Sequence, residues 1–262
     1  MSLDYAGSSS EFSRIGKGLV IKTPRQVQAE TRLFNKINHS FAVELEILKI
    51  LQTHPRIVKS VCHGRNEGEG DPRAIVLTEA NKGNLQQYLD NHSSDEISLE
   101  LRQSWCLQVV EAIAYIHSHG VVHSDLRPEN FLVHETSPGR LDLWLCDFGG
   151  STCERLNLDG GQLPDSGFFD PRSDWISTWK TDSFSAASIL YSILTGHWPY
   201  RQPGPFTSLQ EMEDYESQVD ALFEQRLFPD VDGLFAGTII MKCWNHEYSS
   251  MEEVLVEMRA IS

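Results

Sequence analysis

The most constraining feature of this sequence is a change in its hydrophobic periodicity part-way along the chain. Residues 12–22 and 74–79 are short apolar or alternating runs bounded by glycine or polar residues, which is typical of strands. Between them the sequence predicts one helix. Residues 100–118 and 182–195 instead place apolar side chains at helical spacing. The chain is therefore predicted to be α+β, strand-rich at first and helix-rich afterwards.

This order of elements predicts two lobes that share a cleft within a single domain, residues 1–262. We expect a small β-rich lobe with one helix at 1–79, a hinge at 80–83 and a larger helical lobe at 84–262. The length and a hydrophobic content of 40% are sufficient for a packed core.

Charge and composition exclude several classes of partner. The net charge is −15 and the Lys and Arg residues are scattered, so a nucleic-acid partner is not expected. No apolar run reaches the length of about 20 residues that spans a bilayer, and the first residues lack the pattern of a secretory signal. We expect a cytoplasmic chain, with the nucleus left open, and no membrane partner. Nothing in the sequence predicts its oligomeric state.

The cysteines are five in number and widely spaced, and no two of them form a CxxC pair. This pattern favours free thiols over a zinc or redox centre. The five are Cys62, Cys106, Cys146, Cys153 and Cys243.

Two polar loops carry the residues suited to chemistry. The first reads V-V-H-S-D-L-R-P-E-N-F-L at residues 121–132, and the second reads L-C-D-F-G-G at 145–150. In this order and spacing they resemble the catalytic and metal-binding loops of eukaryotic protein kinases of the Ser/Thr type. The resemblance implies the bilobal kinase fold, ATP and Mg²⁺ as cofactors, and a protein substrate.

The resemblance also implies a role for individual residues in these loops. Asp125 would orient the substrate hydroxyl and accept its proton, while Asn130 and Asp147 would hold Mg²⁺ through oxygen ligands. Arg127 takes the place of the lysine that marks Ser/Thr kinases, and it keeps the positive charge. Asp182 would anchor the backbone of the catalytic loop.

An ion pair is predicted between the first lobe's strand and helix. The resemblance requires a strand lysine, and L-V-I-K places Lys22 at the end of an apolar run. The helix offers two carboxylates, Glu44 and Glu46, about 200° apart at 100° per residue. Glu44 shares the apolar face of the helix, with Phe41, Ile47, Leu48 and Leu51. An inward carboxylate needs a cation, so we expect Lys22 to pair with Glu44.

The nucleotide-binding residues follow from the same resemblance. Thr78 would lie at the back of an adenine pocket, with a hinge whose backbone binds the base and two apolar side chains that enclose it. The predicted set is Gly7, Val20, Lys22, Thr78, Glu79, Ala80 and Leu132.

Four positions depart from the kinase pattern, and one of them is Asp165-Ser166, which replaces the small residue and threonine of the family. Gly7 is the only glycine before Phe12 where a phosphate-binding loop would have three, and Ser124 replaces the arginine that precedes the catalytic aspartate. Without that arginine, we expect activity not to require phosphorylation of the segment after the second loop. Arg172 stands where the family has a glutamate, and we expect it to pair with Glu247 in an inverted ion pair.

Three functions remain open on these observations. The first is ATP-dependent phosphoryl transfer to Ser/Thr hydroxyls of proteins. The second is a pseudokinase that acts as a binding scaffold, which the poor glycine loop favours. The third is a small-molecule kinase, although D-L-R-P-E-N at residues 125–130 fits a protein kinase better.

Overall fold

The computed structural model describes residues 2–6, 9–51, 54–61, 74–93 and 95–262, with side chains from residue 9 onward. Gly7 and Cys62, both named above, lie outside the described residues. The fold is α+β, with a small sheet and one long helix in the first lobe and mainly helices in the second. This architecture confirms the predicted two-lobed class.

The first lobe is built on a four-stranded antiparallel sheet in which sequential strands are neighbours. Its strands are β1 Ser2–Ala6, β2 Ser10–Gly16, β3 Leu19–Pro24 and β4 Ile75–Thr78. The strand prediction for residues 12–22 is confirmed for most of its residues, but the structure divides them between β2 and β3, which form a hairpin. Its turn contains Gly18 at φ +73°, a conformation that glycine adopts without a Cβ penalty.

Helix α1, Arg32–Ile50, packs on this sheet. Its first turn is capped by Thr31, whose hydroxyl accepts the Phe34 N–H at 3.1 Å. The apolar face includes Phe41, Ile47 and Leu48, each at most 1% exposed. The buried face is therefore the one that carries Glu44, as the helical spacing predicts.

The second lobe contains six helices among the described residues. They are α2 Leu85–Asn91, α3 Leu99–Ser118, α4 Trp179–Thr195, α5 Leu209–Glu224, α6 Gly237–Trp244 and α7 Met251–Ile261. The helices predicted at 100–118 and 182–195 are confirmed as α3 and α4. Almost every residue of α4 after its first turn is buried, so this helix is the centre of the lobe.

Two short hairpins lie between α3 and α4. Strands β5 Phe131–Ser137 and β6 Arg140–Leu145 form the first, and β7 Thr152–Cys153 and β8 Leu158–Asp159 form the second. The two polar loops predicted to carry chemistry precede β5 and follow β6. The hairpin β5–β6 therefore brings the loops together on the side of the second lobe that faces α1.

The lobe boundaries predicted at residues 79 and 83 remain predictions, although β4 ends at Thr78 and α2 begins at Leu85. Four of the cysteines, Cys106, Cys146, Cys153 and Cys243, are free thiols. Within the described ranges, no helix is long and apolar enough to cross a membrane.

Candidate active site

The loop at residues 121–130 is fixed by a buried carboxylate. Asp182, on the first turns of α4 and fully buried, accepts the backbone N–H groups of His123 at 2.7 Å and Ser124 at 3.0 Å. The His117 ring also contacts this carboxylate, at 2.8 Å. Ser124 has φ +69°, a strained conformation for a residue with a side chain, which these bonds hold in place. The predicted anchor is confirmed.

Asp125 follows this strained residue and points one carboxylate oxygen, Oδ1, into a buried position with no hydrogen-bond partner among the described residues. The Asn130 amide nitrogen donates to the Asp125 carbonyl at 2.6 Å and more weakly to Oδ2 at 3.4 Å. Burial raises the Asp125 pKa to about 7, against the lowering effect of Arg127. A carboxylate with this pKa and an unused oxygen is suited to accept a proton near neutral pH.

A three-residue charge network, in which Lys22 and Glu44 are buried and Asp147 is half exposed, joins the two lobes. The Lys22 ammonium, 4% exposed, lies 2.6 Å from Glu44 and 2.8 Å from Asp147. Glu46 instead points outward and pairs with Lys49. The predicted pairing of Lys22 with Glu44, rather than Glu46, is present in the structure.

The charges in this network set each other's protonation. Burial alone would lower the Lys22 pKa, but Asp147 and Glu44 raise it above its ordinary value, so Lys22 stays cationic. The Lys22 charge in turn lowers the Asp147 pKa. Burial raises the Glu44 pKa against the effect of Lys22. The network therefore combines one permanent cation with a carboxylate, Asp147, that is ionised and half exposed toward the cleft.

The residues proposed to hold a metal fit a hard cation. Asp147 adopts φ +63°, and its side chain is 48% exposed. The backbone N–H of Cys146 donates to the Asn130 carbonyl at 2.9 Å, which places residues 130 and 147 side by side. Since the Asn130 amide nitrogen is used by Asp125, its amide oxygen is the atom available to a ligand. An ionised carboxylate and an amide oxygen are the donors that Mg²⁺ prefers.

The residues predicted to enclose adenine surround the connection between the lobes. Val20 on β3 pairs with Leu77, and Leu132 on β5 bridges to Asn84, so these two residues lie at opposite ends of the connection. Thr78 ends β4. The Glu79 N–H donates to the Gly18 carbonyl at 2.9 Å, and Ala80 follows it into the connection. Gly7 lies outside the described residues, so its predicted contact with phosphate remains a prediction.

Arg127 contacts a partner that sequence reasoning did not identify. Its guanidinium forms a close ion pair with Asp165, 38 residues away, and lies 3.6 Å from Glu129. The chain thus has an Arg–Asp pair next to Asp125. The Arg127 charge lowers the pKa of Asp125, and the Asp165 charge raises it. The signal for this pair in the sequence is the acidic residue at 165, which is one of the four departures from the kinase pattern.

The predicted ion pair between Arg172 and Glu247 is wrong. The Arg172 guanidinium instead makes two hydrogen bonds to Asp170, at 2.8 and 2.9 Å, and a longer one to the Trp244 carbonyl at 3.5 Å. Asp170 is only 4% exposed and also contacts the His246 ring at 2.8 Å. A buried carboxylate two residues away is a nearer and better-desolvated partner than Glu247. Asp170 and His246 therefore tie this segment to the α6–α7 connection.

This correction leads to a double-mutant cycle. We expect Asp170→Asn with His246→Ala to show a coupling energy of about 0.5–3 kcal/mol in urea unfolding, because the two side chains are in contact. Arg172→Ala with Glu247→Ala should show a coupling near zero. A strong coupling in the second pair and none in the first would contradict the observed contacts.

Comparison with known proteins bears on the same residues. The family model described as "Protein kinase domain" matches residues 13–231, which is most of the chain. The chain belongs to the protein kinase domain family. The matched region contains both polar loops and the charge network between the lobes.

Curated relatives of this kinase domain include both tyrosine and Ser/Thr enzymes. It is similar to the tyrosine-protein kinase Srms of Mus musculus, at 31% identity over 64% of this chain and 34% of that protein. A probable receptor-like protein kinase of Arabidopsis thaliana is 34% identical over 62% of this chain and 50% of its own length. The serine/threonine-protein kinase ppk34 of Schizosaccharomyces pombe is 32% identical over 60% of this chain and 44% of that protein. The chain thus spans a third to a half of the length of these relatives.

Proposed function

We propose that this kinase domain transfers the γ-phosphoryl group of ATP to Ser and Thr hydroxyls of protein substrates, with Mg²⁺. The observation that supports it best is the network of Lys22, Glu44 and Asp147 next to Asp125, which has an unused carboxylate oxygen. Phosphoryl transfer depends mainly on positioning and on neutralising triphosphate charge, and these residues supply both.

In the proposed reaction the substrate hydroxyl oxygen attacks the γ-phosphorus, and the bond to the bridging oxygen of ADP breaks. Asp125 orients the hydroxyl and takes its proton at Oδ1. Lys22, held by Glu44, places a fixed positive charge against the phosphates. Asp147 and Asn130 would hold Mg²⁺, which when bound neutralises charge that develops on the phosphate oxygens.

The acceptor hydroxyl is assigned from Arg127. Arg127 occupies the position at which Ser/Thr kinases carry a lysine, and its charge is kept close to Asp125 by Asp165 and Glu129. The relatives named above include a tyrosine kinase, so the choice of acceptor needs its own measurement.

The test is incubation with Mg²⁺ and γ-labelled ATP against a mixed panel of proteins, followed by phosphoamino-acid analysis. We expect label on Ser and Thr that is lost with Asp125→Asn. Label on Tyr alone would overturn the assignment of the acceptor. Binding of ATP without transfer would instead favour the pseudokinase, and transfer to small alcohols alone would favour the small-molecule kinase.

Mg-ATP is expected to stabilise the folded domain, because a ligand that binds only the native state raises its apparent stability. At 100 times Kd the gain is about 2.7 kcal/mol, which a thermal melt detects as a rise in Tm. Asp147→Asn should abolish the part of this gain that depends on Mg²⁺, whereas Glu46→Gln, on the outer face of α1, should leave it intact. An unchanged Tm at millimolar Mg-ATP would count against nucleotide binding.

A further inference from the structure

The segment at residues 165–168 is seated on α5 through one hydroxyl. The half-buried Ser166 donates its Oγ–H to the Asp220 carboxylate at 2.9 Å. The next residue, Gly167, has φ +86°, and a side chain there would collide with the Tyr215 hydroxyl. The segment is therefore held at short range against one face of α5, at Asp220 and Tyr215.

The surface that receives Ser166 is strongly acidic. Helix α5 carries Asp or Glu at six positions and no Lys or Arg. These charges are close enough to affect one another: burial and the charges of Asp165, Asp220 and Glu213 raise the Glu216 pKa. The Ser166 hydroxyl is neutral and offers a proton, so it suits this surface. A negatively charged group at the same position would be repelled.

The segment is also linked to the catalytic residues. Asp165, directly before Ser166, forms the close ion pair with Arg127, and Arg127 acts on Asp125. Arg201, another cation of this region, is occupied by the Gly204 carbonyl and by the rings of Trp198 and Phe206. Of these two arginines, Arg127 is the one that a new anion at residue 166 would compete for.

We propose that Ser166 is an inhibitory phosphorylation site. In this modification the Ser166 Oγ forms a bond to the γ-phosphorus of ATP, the bond to the bridging oxygen breaks, and ADP leaves. The serine proton passes to the catalytic carboxylate of the modifying kinase. The effect on catalysis rests on the proposed function, whereas the effect on the segment does not.

Phosphorylation would act through charge. It replaces a hydrogen-bond donor by a group of about −1.5 to −2 charge, which cannot donate to Asp220 and is repelled by it. The segment then leaves α5, or the phosphate captures Arg127 from Asp165. Either change breaks the Asp165–Arg127 ion pair, which helps to hold a positive charge beside Asp125. Phosphorylation of Ser166 would therefore lower activity rather than raise it. This agrees with the presence of Ser124 in place of an arginine, because a serine cannot neutralise a phosphate.

The charge effect is tested with Ser166→Asp and its matched neutral control, Ser166→Asn. We expect the Asp variant to lose at least about tenfold in kcat/KM relative to the Asn variant, as expected for a charge that disrupts a docked segment. Adding Asp220→Lys to Ser166→Asp should restore most of the loss, because it supplies a cation at the contact. Equal activity of the Asp and Asn variants, or no rescue by Asp220→Lys, would overturn the proposal.

Hydrogen exchange of the backbone at residues 165–168 separates this proposal from the proposed function. The Ser166→Asp variant should exchange faster there than Ser166→Asn, whether or not the chain transfers phosphate. If the wild-type chain transfers no phosphate but the two variants still differ in exchange, only the proposed function is refuted. Identical exchange in the two variants would refute the inhibitory contact.

The source of the phosphate is tested in two arms with peptide mapping by mass spectrometry. Purified wild-type chain is incubated with Mg-ATP, and the Asp125→Asn variant is incubated with ATP in a eukaryotic cell extract. Phosphate on Ser166 in the first arm assigns the modification to this kinase domain itself, and phosphate only in the second arm assigns it to another kinase. Unmodified Ser166 in both arms would overturn the assignment of the site.

Discussion

Asp125→Asn is expected to lower kcat by about 10²–10⁴-fold, the usual contribution of a positioned general base. Asparagine keeps the size of the side chain but cannot accept the hydroxyl proton at the position of Oδ1. The affinity of the Asp125→Asn variant for ATP should be unchanged, because the network of Lys22, Glu44 and Asp147 is intact. Burial disfavours the ionised Asp125, so the neutral replacement should not lower Tm. Initial rates at saturating ATP, with a thermal melt, make the measurement.

The same residue predicts the pH dependence of the wild-type enzyme. Its pKa is raised to about 7 by burial, and only the ionised form accepts a proton. The rate should therefore rise with pH through about 7 and fall on the acid side. Loss of the acid limb in Asp125→Asn would assign that limb to this residue. If Asp125→Asn keeps the pH profile of the wild type, another group causes the acid limb. If its kcat is close to that of the wild type, Asp125 is not the base.

Much of the site follows from residue types at fixed spacing. The choice of Glu44 over Glu46 needs only helical geometry and the need of a buried carboxylate for a cation, and the structure pairs it with Lys22. The anchoring of the loop by Asp182 was instead implied by the resemblance to protein kinases, and the structure shows it as hydrogen bonds to a buried carboxylate. The Glu44 contact was predictable because an unpaired buried charge is costly.

Contacts between polar residues in the loops of the second lobe were not predictable in this way. Arg172 has several possible carboxylate partners. It binds the buried Asp170, which is two residues away and also contacts the His246 ring. The pairing of Arg127 with Asp165 depends on how the segment after β8 folds back, which no periodicity specifies. The run at residues 12–22 does not show by its periodicity where one strand ends and the next begins, and G-K-G marks that point because Gly18 makes the turn.

Lys22→Met is expected to have the largest effect on stability. Methionine fills similar volume but leaves Glu44, 2% exposed, without its cation. Breaking a buried pair by removal of one partner typically costs about 3–5 kcal/mol. Asp147, which is half exposed, can be solvated and should contribute less. Urea unfolding at pH 7 measures the loss, and Lys49→Met, which removes the cation of an exposed pair, is the control with an expected cost of about 1 kcal/mol or less.

The pH dependence of this loss identifies its cause. In Lys22→Met the folded-state pKa of Glu44 should rise further above its unfolded value, because burial then acts on it without an opposing cation. A carboxyl group whose pKa is raised in the folded state destabilises the fold when it is ionised, and protonation removes this cost. The variant should therefore gain stability relative to wild type as pH falls toward the unfolded pKa of Glu44. A cost that does not depend on pH would point to packing rather than charge.

The double variant Lys22→Met with Glu44→Met separates stability from catalysis. Replacement of both members of a buried pair by apolar residues of similar size is often neutral or stabilising, so most of the lost free energy of unfolding should return. Activity should not return, because the positive charge against the phosphates is absent in both variants. If the double variant instead regained activity, the Lys22 charge would not be part of phosphoryl transfer. If it stayed as unstable as Lys22→Met, the unpaired Glu44 carboxylate would not be the source of the instability, and the contacts of Lys22 with Asp147 and with the Phe41 ring would have to account for it.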